Sequence, residues 1–316
     1  MSDVFELIPT VCAICDKLDN AVELYPANFD RQAFNPATFS ARRLPDRLHY
    51  RIVCCKVCGL VRSDPIIDSQ TLEQLYGEST QTYDQELDNL RVTYVKYLSR
   101  AGKWITQKNS LLEIGCGSGF FLTEALNQGF LSVRGVEPSR EAVEKAKLGK
   151  NAQIICDVMR PNLFDPQSFD IVCMFQVFDH LPNPNELLEE CYKLLKPGGV
   201  VLILNHDVGS FSAKMLGANS PIIDIEHTYL YSKNTIRKIV SKHGFDVLEV
   251  GSVVNTYSFS YLIHLIPLPI QMKKKLLDFF NKSRIGFLKM SIRLGNLYMI
   301  ARKPESKPSL ILEQQR

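Results

Sequence analysis

The middle of the chain alternates short apolar runs with segments whose apolar residues recur every three or four positions. The apolar runs predict buried strands; they are residues 111–114, 132–136, 154–156, 169–175, 200–204 and 245–254. The segments with helical spacing predict helices at residues 120–128, 139–148, 185–195 and 233–243. Strands that alternate with helices in this way predict an α/β fold.

A longer amphipathic helix is predicted ahead of the first of these strands, at about residues 83–105. Its apolar side chains follow the helical period, and they are Leu87, Leu90, Tyr94, Leu98 and Ala101. A polar tail follows residue 303 at the other end of the chain.

A glycine-rich turn joins the first buried strand to the helix after it. Glu113, Gly115, Gly117 and Gly119 alternate strictly along this turn. Glycines let the backbone turn tightly and approach a ligand, and the following helix offers free amide donors in its first turn. The loop does not match the dinucleotide-binding fingerprint Gly-x-Gly-x-x-Gly, because that fingerprint has its third glycine one residue later. The loop alone is a weak signal, since glycine is also the common turn residue.

Two Cys-x-x-Cys pairs lie near the N-terminus, Cys12 with Cys15 and Cys55 with Cys58. Each pair aims two sulfurs at one tetrahedral centre, so together they predict a closed, structural four-thiolate zinc site. Cys54 is not included among the predicted zinc ligands, because its use in place of Cys55 would break the Cys-x-x-Cys spacing with Cys58. The alternative is four unligated core cysteines.

Composition narrows the functional classes. The 316 residues suggest one large domain plus a small one, or two domains, and 45% hydrophobic content suffices for a core.

The net charge of +3, with eight Lys/Arg against nine Asp/Glu in residues 1–70, argues against nucleic acid as a partner. Nine cysteines without a signal peptide predict reduced thiols and a cytoplasmic location. The most apolar late run, residues 259–270, is too short to span a membrane.

The glycine loop with its preceding acid, Glu113, resembles motif I of the class I S-adenosylmethionine-dependent methyltransferases. Residues 169–184 and 194–203 resemble the segments that follow it in that family, and the resemblance as a whole covers about residues 10–260, most strongly 108–205. It implies a Rossmann-like methyltransferase sheet of seven strands, the last one antiparallel at about residues 294–301. It also implies S-adenosyl-L-methionine as cofactor.

Further cofactor contacts are expected where strands end. Glu137 ends the second strand about twenty residues past the glycines, where an acid hydrogen-bonds the ribose hydroxyls. Asp157 resembles the family residue that accepts the adenine amino group, and the backbone of Val158 would read the ring nitrogen. Gln176 lies at the carboxyl end of the fourth strand, the edge where ligands sit in open α/β sheets. Tyr76 and Tyr83 are expected mainly to pack, with closure of the site as the alternative.

Two histidines are candidate general bases. His180 follows the fourth strand, and His227 lies in a segment that resembles the zinc-ribbon methyltransferases related to sugar C-methyltransferases. In those proteins a Tyr-x-x-His pair helps to deprotonate the sugar, but here Asp224 stands three residues before His227. The departure favours oxygen over carbon as the methylated atom. For both histidines the alternative role is to anchor a loop.

The C-terminal part of the chain is basic. Residues 271–316 carry eleven Lys/Arg against three acids. The stretch 271–293 could contact a membrane surface or an anionic ligand, although a basic amphipathic helix more often packs its apolar face.

These observations together predict a zinc-binding domain at residues 1–70, a helical linker or lid at 71–107, and a methyltransferase domain at 108–316 with an acceptor-side insert at about 206–293. The predicted function is methyl transfer to a small molecule, such as a sugar, a nucleotide-sugar or another biosynthetic intermediate. The alternatives are a methyltransferase of RNA or protein that docks through the zinc ribbon, and a degenerate methyltransferase fold that acts as a binding module.

Overall fold

The fold contains both short and long strands. It is seen in a computed structural model that describes residues 6–29, 34–35, 38–39, 47–79, 87–265, 270–282, 286 and 288–305. In chain order the strands are β1 (Leu7–Ile8), β2 (Ala21–Tyr25), β3 (Ile52–Cys55), β4 (Val61–Ser63), β5 (Ile66–Ile67), β6 (Ser110–Ile114), β7 (Ser132–Val136), β8 (Ala152–Ile155), β9 (Phe169–Phe175), β10 (Leu195–His206), β11 (Tyr229–Leu230), β12 (Asp246–Ser252), β13 (Asn255–Ser258), β14 (Lys289–Ile292) and β15 (Asn296–Arg302).

Helices connect most of the long strands. They are α1 (Ser69–Gly77), α2 (Leu87–Ala101), α3 (Phe120–Asn127), α4 (Arg140–Glu144), α5 (Pro184–Leu194), α6 (Phe211–Leu216), α7 (Lys233–Lys242), α8 (Phe259–Leu265) and α9 (Ile270–Lys282), with 3₁₀ turns at Gly102–Trp104 and Gly217–Asn219. The helix predicted from residue 83 is seen from Leu87, and residues 80–86, including Tyr83, lie outside the described part.

The central sheet has seven strands in the order β12-β15-β10-β9-β6-β7-β8. Neighbouring strands run parallel from β10 to β8, whereas β15 is antiparallel to both β10 and β12. The predicted α/β fold with seven strands and an antiparallel last strand is therefore confirmed.

Helices cover both faces of this sheet, which explains why its central strands are apolar throughout. All seven residues of β9 are buried. On one face α5 and α7 pack Leu188, Ile236 and neighbouring side chains on the sheet. On the other face α2 and α3 contribute Leu98 and Phe121. Each face therefore has its own hydrophobic core.

Several elements differ from the predicted bounds, and two of these differences lie beside the cavity described below. Helix α4 ends at Glu144 rather than at residue 148, because the chain leaves the helix to pack Leu148 beside the glycine loop. Strand β10 continues to His206 rather than ending at residue 204, because it keeps pairing with β15 up to His206 and Asn296.

The N-terminal segment forms a second sheet with a strand borrowed from the other half of the chain. Its order is β11-β4-β3-β2, so Tyr229 and Leu230 pair antiparallel with Arg62 and Val61. The ammonium group of Lys238 in α7 also donates to the carbonyl of Cys58, at 3.2 Å. The N-terminal segment is thus packed on the central sheet, and the predicted boundary at residue 70 stays a prediction.

The four predicted cysteines converge at the edge of this small sheet. The sulfurs of Cys12, Cys15, Cys55 and Cys58 all lie within 4.8 Å of one another. The Cys12–Cys58 and Cys15–Cys55 sulfur distances are 3.5 and 3.9 Å. A tetrahedral ion with Zn–S bonds of about 2.3 Å separates its sulfurs by about 3.8 Å. Asn20 donates to the Cys55 sulfur at 3.1 Å, as expected beside a thiolate. The donor set is compatible with Zn²⁺.

The basic C-terminal region folds into α8, α9 and the β13–β14 pair. Met272, Phe279, Leu288 and Met290 are exposed there. Among the residues described, no helix has the length and apolar character needed to cross a membrane. Contact of residues 271–293 with a membrane surface or an anionic ligand stays a prediction.

We expect Cys55→Ser to lose the bound zinc, because three thiolates and a hydroxyl hold the ion far less tightly than four thiolates. Elemental analysis of the purified protein should give about one zinc per chain for the wild type and almost none for the variant. The melting temperature should fall as well, since metal binding contributes to folding stability.

Cys54→Ser is the matched control for this experiment. The Cys54 sulfur lies outside the four-sulfur cluster and donates to the backbone carbonyl of Cys55. It should keep wild-type zinc content. Wild-type zinc content in Cys55→Ser would contradict the assignment.

Candidate active site

One cavity of about 960 Å³ opens at the carboxyl ends of the central parallel strands. It extends from the glycine loop after β6 to the segment that precedes β11. Tyr76, Leu90 and Tyr94 close it from the side of the N-terminal helices. Tyr94 stacks on Phe175 with ring centroids 4.2 Å apart, which makes this wall rigid. The cavity therefore has a cofactor end at the glycine loop and an acceptor end at the far segment.

The glycine loop adopts the backbone that its composition predicts. Gly115, Gly117 and Gly119 have φ values of +73°, +54° and +73°, a region that side chains disfavour. A Cβ at Gly115 would also lie 2.3 Å from a methyl group of Val177. Glycine is therefore required there both by the backbone conformation and by space, and the loop leaves a cradle for a ligand.

Glu137 fastens the glycine loop to the turn after β7. Its carboxylate accepts hydrogen bonds from the amides of Gly117 at 2.8 Å and Ser139 at 2.9 Å. Burial raises the pKa of Glu137, and these two amide donors oppose that rise. Each oxygen keeps a second lone pair, so the carboxylate can still accept two ribose hydroxyls.

Two buried polar atoms beside the loop lack a partner within the described residues. They are an oxygen of Glu113, whose side chain is 2% exposed, and the side-chain oxygen of Gln176. Burial, and then the nearby Glu137, raise the pKa of Glu113 well above its ordinary value. Because buried polar groups are normally satisfied, these atoms fit a site that a polar ligand completes.

Asp157 and Val158 line the cavity as predicted, but they bond to each other. The Asp157 carboxylate accepts from the amide of Val158 at 2.7 Å and pairs with Arg160 at 3.1 Å. Arg160 in turn pairs with Glu73 at 2.9 Å. Reading of adenine by the Val158 amide would require this local bond to open, and the adenine role of both residues stays a prediction.

The cavity wall is strongly acidic. Among the described residues that line it, Arg160 is the only arginine or lysine. The acids of the wall are Glu73, Glu113, Glu137, Asp157, Glu186, Glu190, Asp224 and Glu226. Such a wall favours a ligand that carries positive charge, as the sulfonium of S-adenosylmethionine does.

Both predicted histidines line the acceptor end of the cavity. His180 Nδ1 lies 3.1 Å from the hydroxyl of Tyr76. His227 is 4% exposed, and its Nδ1 must donate to the carbonyl of Ile222 at 2.9 Å because a carbonyl only accepts. Burial lowers the pKa of His227 well below its ordinary value. The ring of His227 is therefore neutral, with its proton on Nδ1 and a lone pair on Nε2.

A third histidine, His206, belongs to this group and was missed in the sequence. It ends β10, and its ring centroid lies 4.6 Å from that of His227. Its Nδ1 lies 2.7 Å from Oδ2 of Asp179, a fully buried carboxylate. The signal available in the sequence was the position of His206 at a strand end, which was hidden because that strand was predicted to stop at residue 204.

Asp179 is an anion inside this group. Burial alone would raise its pKa, but the neighbouring imidazoles, His206 foremost, hold the pKa of Asp179 below its usual range. Its other oxygen, Oδ1, has no hydrogen-bond partner within the described residues and lies 3.8 Å from His180 Nε2. The carboxylate of Asp179 thus lies among three imidazoles at the acceptor end.

Comparison with known proteins agrees with this geometry. The methyltransferase domain family matches residues 87–250, just over half of the chain, and the chain therefore belongs to that family. A ubiquinone biosynthesis O-methyltransferase of Pseudomonas entomophila is 27% identical over 144 residues, which cover 42% of this chain and 58% of that relative. A ubiquinone biosynthesis O-methyltransferase of Vibrio cholerae is 29% identical over 203 residues, which cover 57% of this chain and 81% of that relative.

Among solved structures, an S-adenosylmethionine-dependent methyltransferase of Archaeoglobus fulgidus aligns with a TM-score of 0.46 at 21% identity. That alignment covers 67% of this chain and 94% of the other.

We expect Glu137→Ala to weaken binding of S-adenosylmethionine, because the variant loses the acceptor for the ribose hydroxyls. A hydrogen bond to a charged group contributes about 1.5–3 kcal/mol, so the dissociation constant should rise about 10- to 150-fold. Isothermal calorimetry measures it directly. Glu144→Ala removes an exposed acid from the next helix and should bind like the wild type. Equal affinity in Glu137→Ala and the wild type would remove Glu137 from the site.

We also expect Glu113→Gln to stabilise the cofactor-free protein more at high pH than at low pH. The folded-state pKa of Glu113 is raised, so its contribution to stability is present below the unfolded pKa of about 4.3 and is lost as the pH rises toward the folded value. Glutamine does not ionise and avoids that loss. The difference in melting temperature between variant and wild type should therefore grow from about pH 5 to about pH 8.

The exposed control Glu144→Gln should show no such growth. A constant difference at both pH values for Glu113→Gln would mean that Glu113 is ionised in the folded protein at neutral pH.

Proposed function

We propose that this chain transfers the methyl group of S-adenosyl-L-methionine to an oxygen of a small molecule. The observation that carries the proposal is the single continuous cavity, which runs from the glycine loop and Glu137 to the histidines of the acceptor end. Cofactor and acceptor can therefore share one enclosed space.

Methyl transfer from a sulfonium is an in-line substitution, so the main task of the protein is to hold the acceptor close and aligned. The rigid Tyr94–Phe175 wall and the glycine loop supply that positioning for the cofactor. An oxygen acceptor must also lose a proton, and the imidazoles of His180 and His227 are the candidate bases.

Oxygen is favoured over carbon on two grounds. The curated relatives described above are named O-methyltransferases, and Asp224 stands where the sugar C-methyltransferase pattern has tyrosine. A sugar, a nucleotide-sugar or another biosynthetic intermediate remains the proposed acceptor class. The resemblance to sugar C-methyltransferases stays a prediction.

The four-cysteine cluster is proposed to hold one structural Zn²⁺. Residues 1–70 would form the zinc-binding unit, residues 71–107 a lid that carries Tyr76, and residues 108–316 the methyltransferase domain. A ribbon that docks RNA or protein is less well supported, because Tyr229 and Lys238 of the methyltransferase half already bind it. A pure binding module is disfavoured by the candidate bases, His180 and His227, at the acceptor end.

We expect calorimetry to show S-adenosylmethionine binding, and an acceptor screen to show formation of S-adenosylhomocysteine by mass spectrometry. With an active acceptor, His180→Gln and His227→Gln should each lower the rate of transfer about 100-fold or more, while cofactor affinity stays unchanged. His243→Gln is the control, because that side chain bonds to Asn185 outside the cavity. Cofactor binding without turnover of any hydroxyl acceptor would favour the binding module.

A further inference from the structure

The buried side of the acceptor end has the donor set of a metal site. One ligand atom each of Asp179, His206 and His227 lies within 4.8 Å of the other two. The three residues come from different parts of the fold, namely the turn after β9, the end of β10 and the segment before β11. Two imidazoles and one carboxylate are a common ligand set for first-row divalent metals, and they leave open positions for a substrate.

The hydrogen bond made by His227 orients it as a metal ligand. Its Nδ1 donates to the carbonyl of Ile222, which fixes the ring and leaves the lone pair on Nε2. Metal-binding histidines are typically held in this way by a backbone carbonyl or a carboxylate on the other ring nitrogen. With Nδ1 engaged in this way, Nε2 is the nitrogen of His227 that is left to bind a metal.

The carboxylate of Asp179 gives a second, independent indication. It is fully buried, and its Oδ1 has no hydrogen-bond partner within the described residues. A simple Asp–His pair would use only Oδ2, which already faces His206 at 2.7 Å. A bound cation would compensate the buried negative charge of the Asp179 carboxylate, whose Oδ1 the Asp–His pair leaves without a partner among the described residues.

The surrounding charge also favours a cation here. Asp224 and Glu226 line the same end of the cavity and are 3% and 8% exposed, and Arg160, the one arginine or lysine among the described lining residues, is paired with Asp157 and Glu73. The described lining thus carries more acidic than basic side chains, which favours a cation.

We propose that Asp179, His206 and His227 bind a first-row divalent metal ion at the acceptor end of the cavity. Its role toward the acceptor rests on the proposed function, whereas its binding does not. A metal that coordinates the acceptor oxygen would lower the pKa of that hydroxyl and hold it in place. His227 is then a ligand rather than a base, and His180 remains to take the hydroxyl proton.

Metal titration of the full chain with its cysteine cluster loaded with zinc tests the proposal. The probes are Mn²⁺, which prefers oxygen and imidazole to thiolates, and Zn²⁺. Loss of the free Mn²⁺ signal in electron paramagnetic resonance and calorimetry with Zn²⁺ should both report about one further ion per chain, as a three-ligand site requires.

Variants locate the ion. His206→Ala and Asp179→Asn should weaken binding about 100-fold or more, since loss of a ligand costs at least as much as loss of its supporting hydrogen bond. His180→Ala lies in the same cavity but outside the ligand set, and it should bind the metal like the wild type. His206 is partly exposed, so its variant should fold, and the circular dichroism spectrum checks this.

Failure to bind either ion, or unchanged binding in His206→Ala, would overturn the proposal and leave a hydrogen-bonded Asp–His pair. S-adenosylmethionine binding is measured separately on the same protein. Cofactor binding without metal binding would overturn only this inference, and metal binding without cofactor binding would overturn only the proposed function.

Discussion

The in-register parallel pairing of β6 with β7 and β9 is the constraint on which the rest of the structure depends. Ile114, the last residue of β6, lies opposite Val136 of β7 and Met174 of β9. The chain therefore leaves all three strands at nearly the same height. Parallel strands end at one edge of a sheet, so the glycine loop, Glu137 and Gln176 must emerge side by side. The cofactor end of the cavity is a direct consequence of that register.

Buried charge is the second theme of the structure. The carboxylates of Glu113 and Asp179 are buried and that of Glu137 is partly buried, which is costly unless each is neutralised or satisfied. Each case is resolved differently. Glu137 accepts two amides, Asp179 is flanked by imidazoles, and Glu113 has a pKa raised by burial.

The N-terminal segment connects to the acceptor end as well as to the sheet. The Ser63 hydroxyl donates to the carbonyl of His227 at 2.7 Å, and the Ser63 amide donates to the carbonyl of Thr228 at 2.9 Å. Ser63 ends β4, in the sheet whose strand β3 ends at Cys55 of the cysteine cluster. A cluster far from the chemistry thus helps to fix the loop that carries a candidate catalytic histidine. This linkage also explains why the small sheet takes a strand from the larger half.

The sequence by itself determined the features that depend on local spacing. Strand and helix alternation defined the α/β fold, the glycines predicted a tight turn after the first buried strand, and the paired cysteines predicted a cluster that the structure brings together. The place of Glu137 at a strand end was equally local. Tertiary structure alone decided which distant residues meet: His206 reaches Asp179 across 27 residues, and β11 joins a sheet that begins at residue 21. The hydrophobic periodicity of the sequence indicates only which face of an element is buried. Contacts between distant residues depend on how the strands pair and where they end.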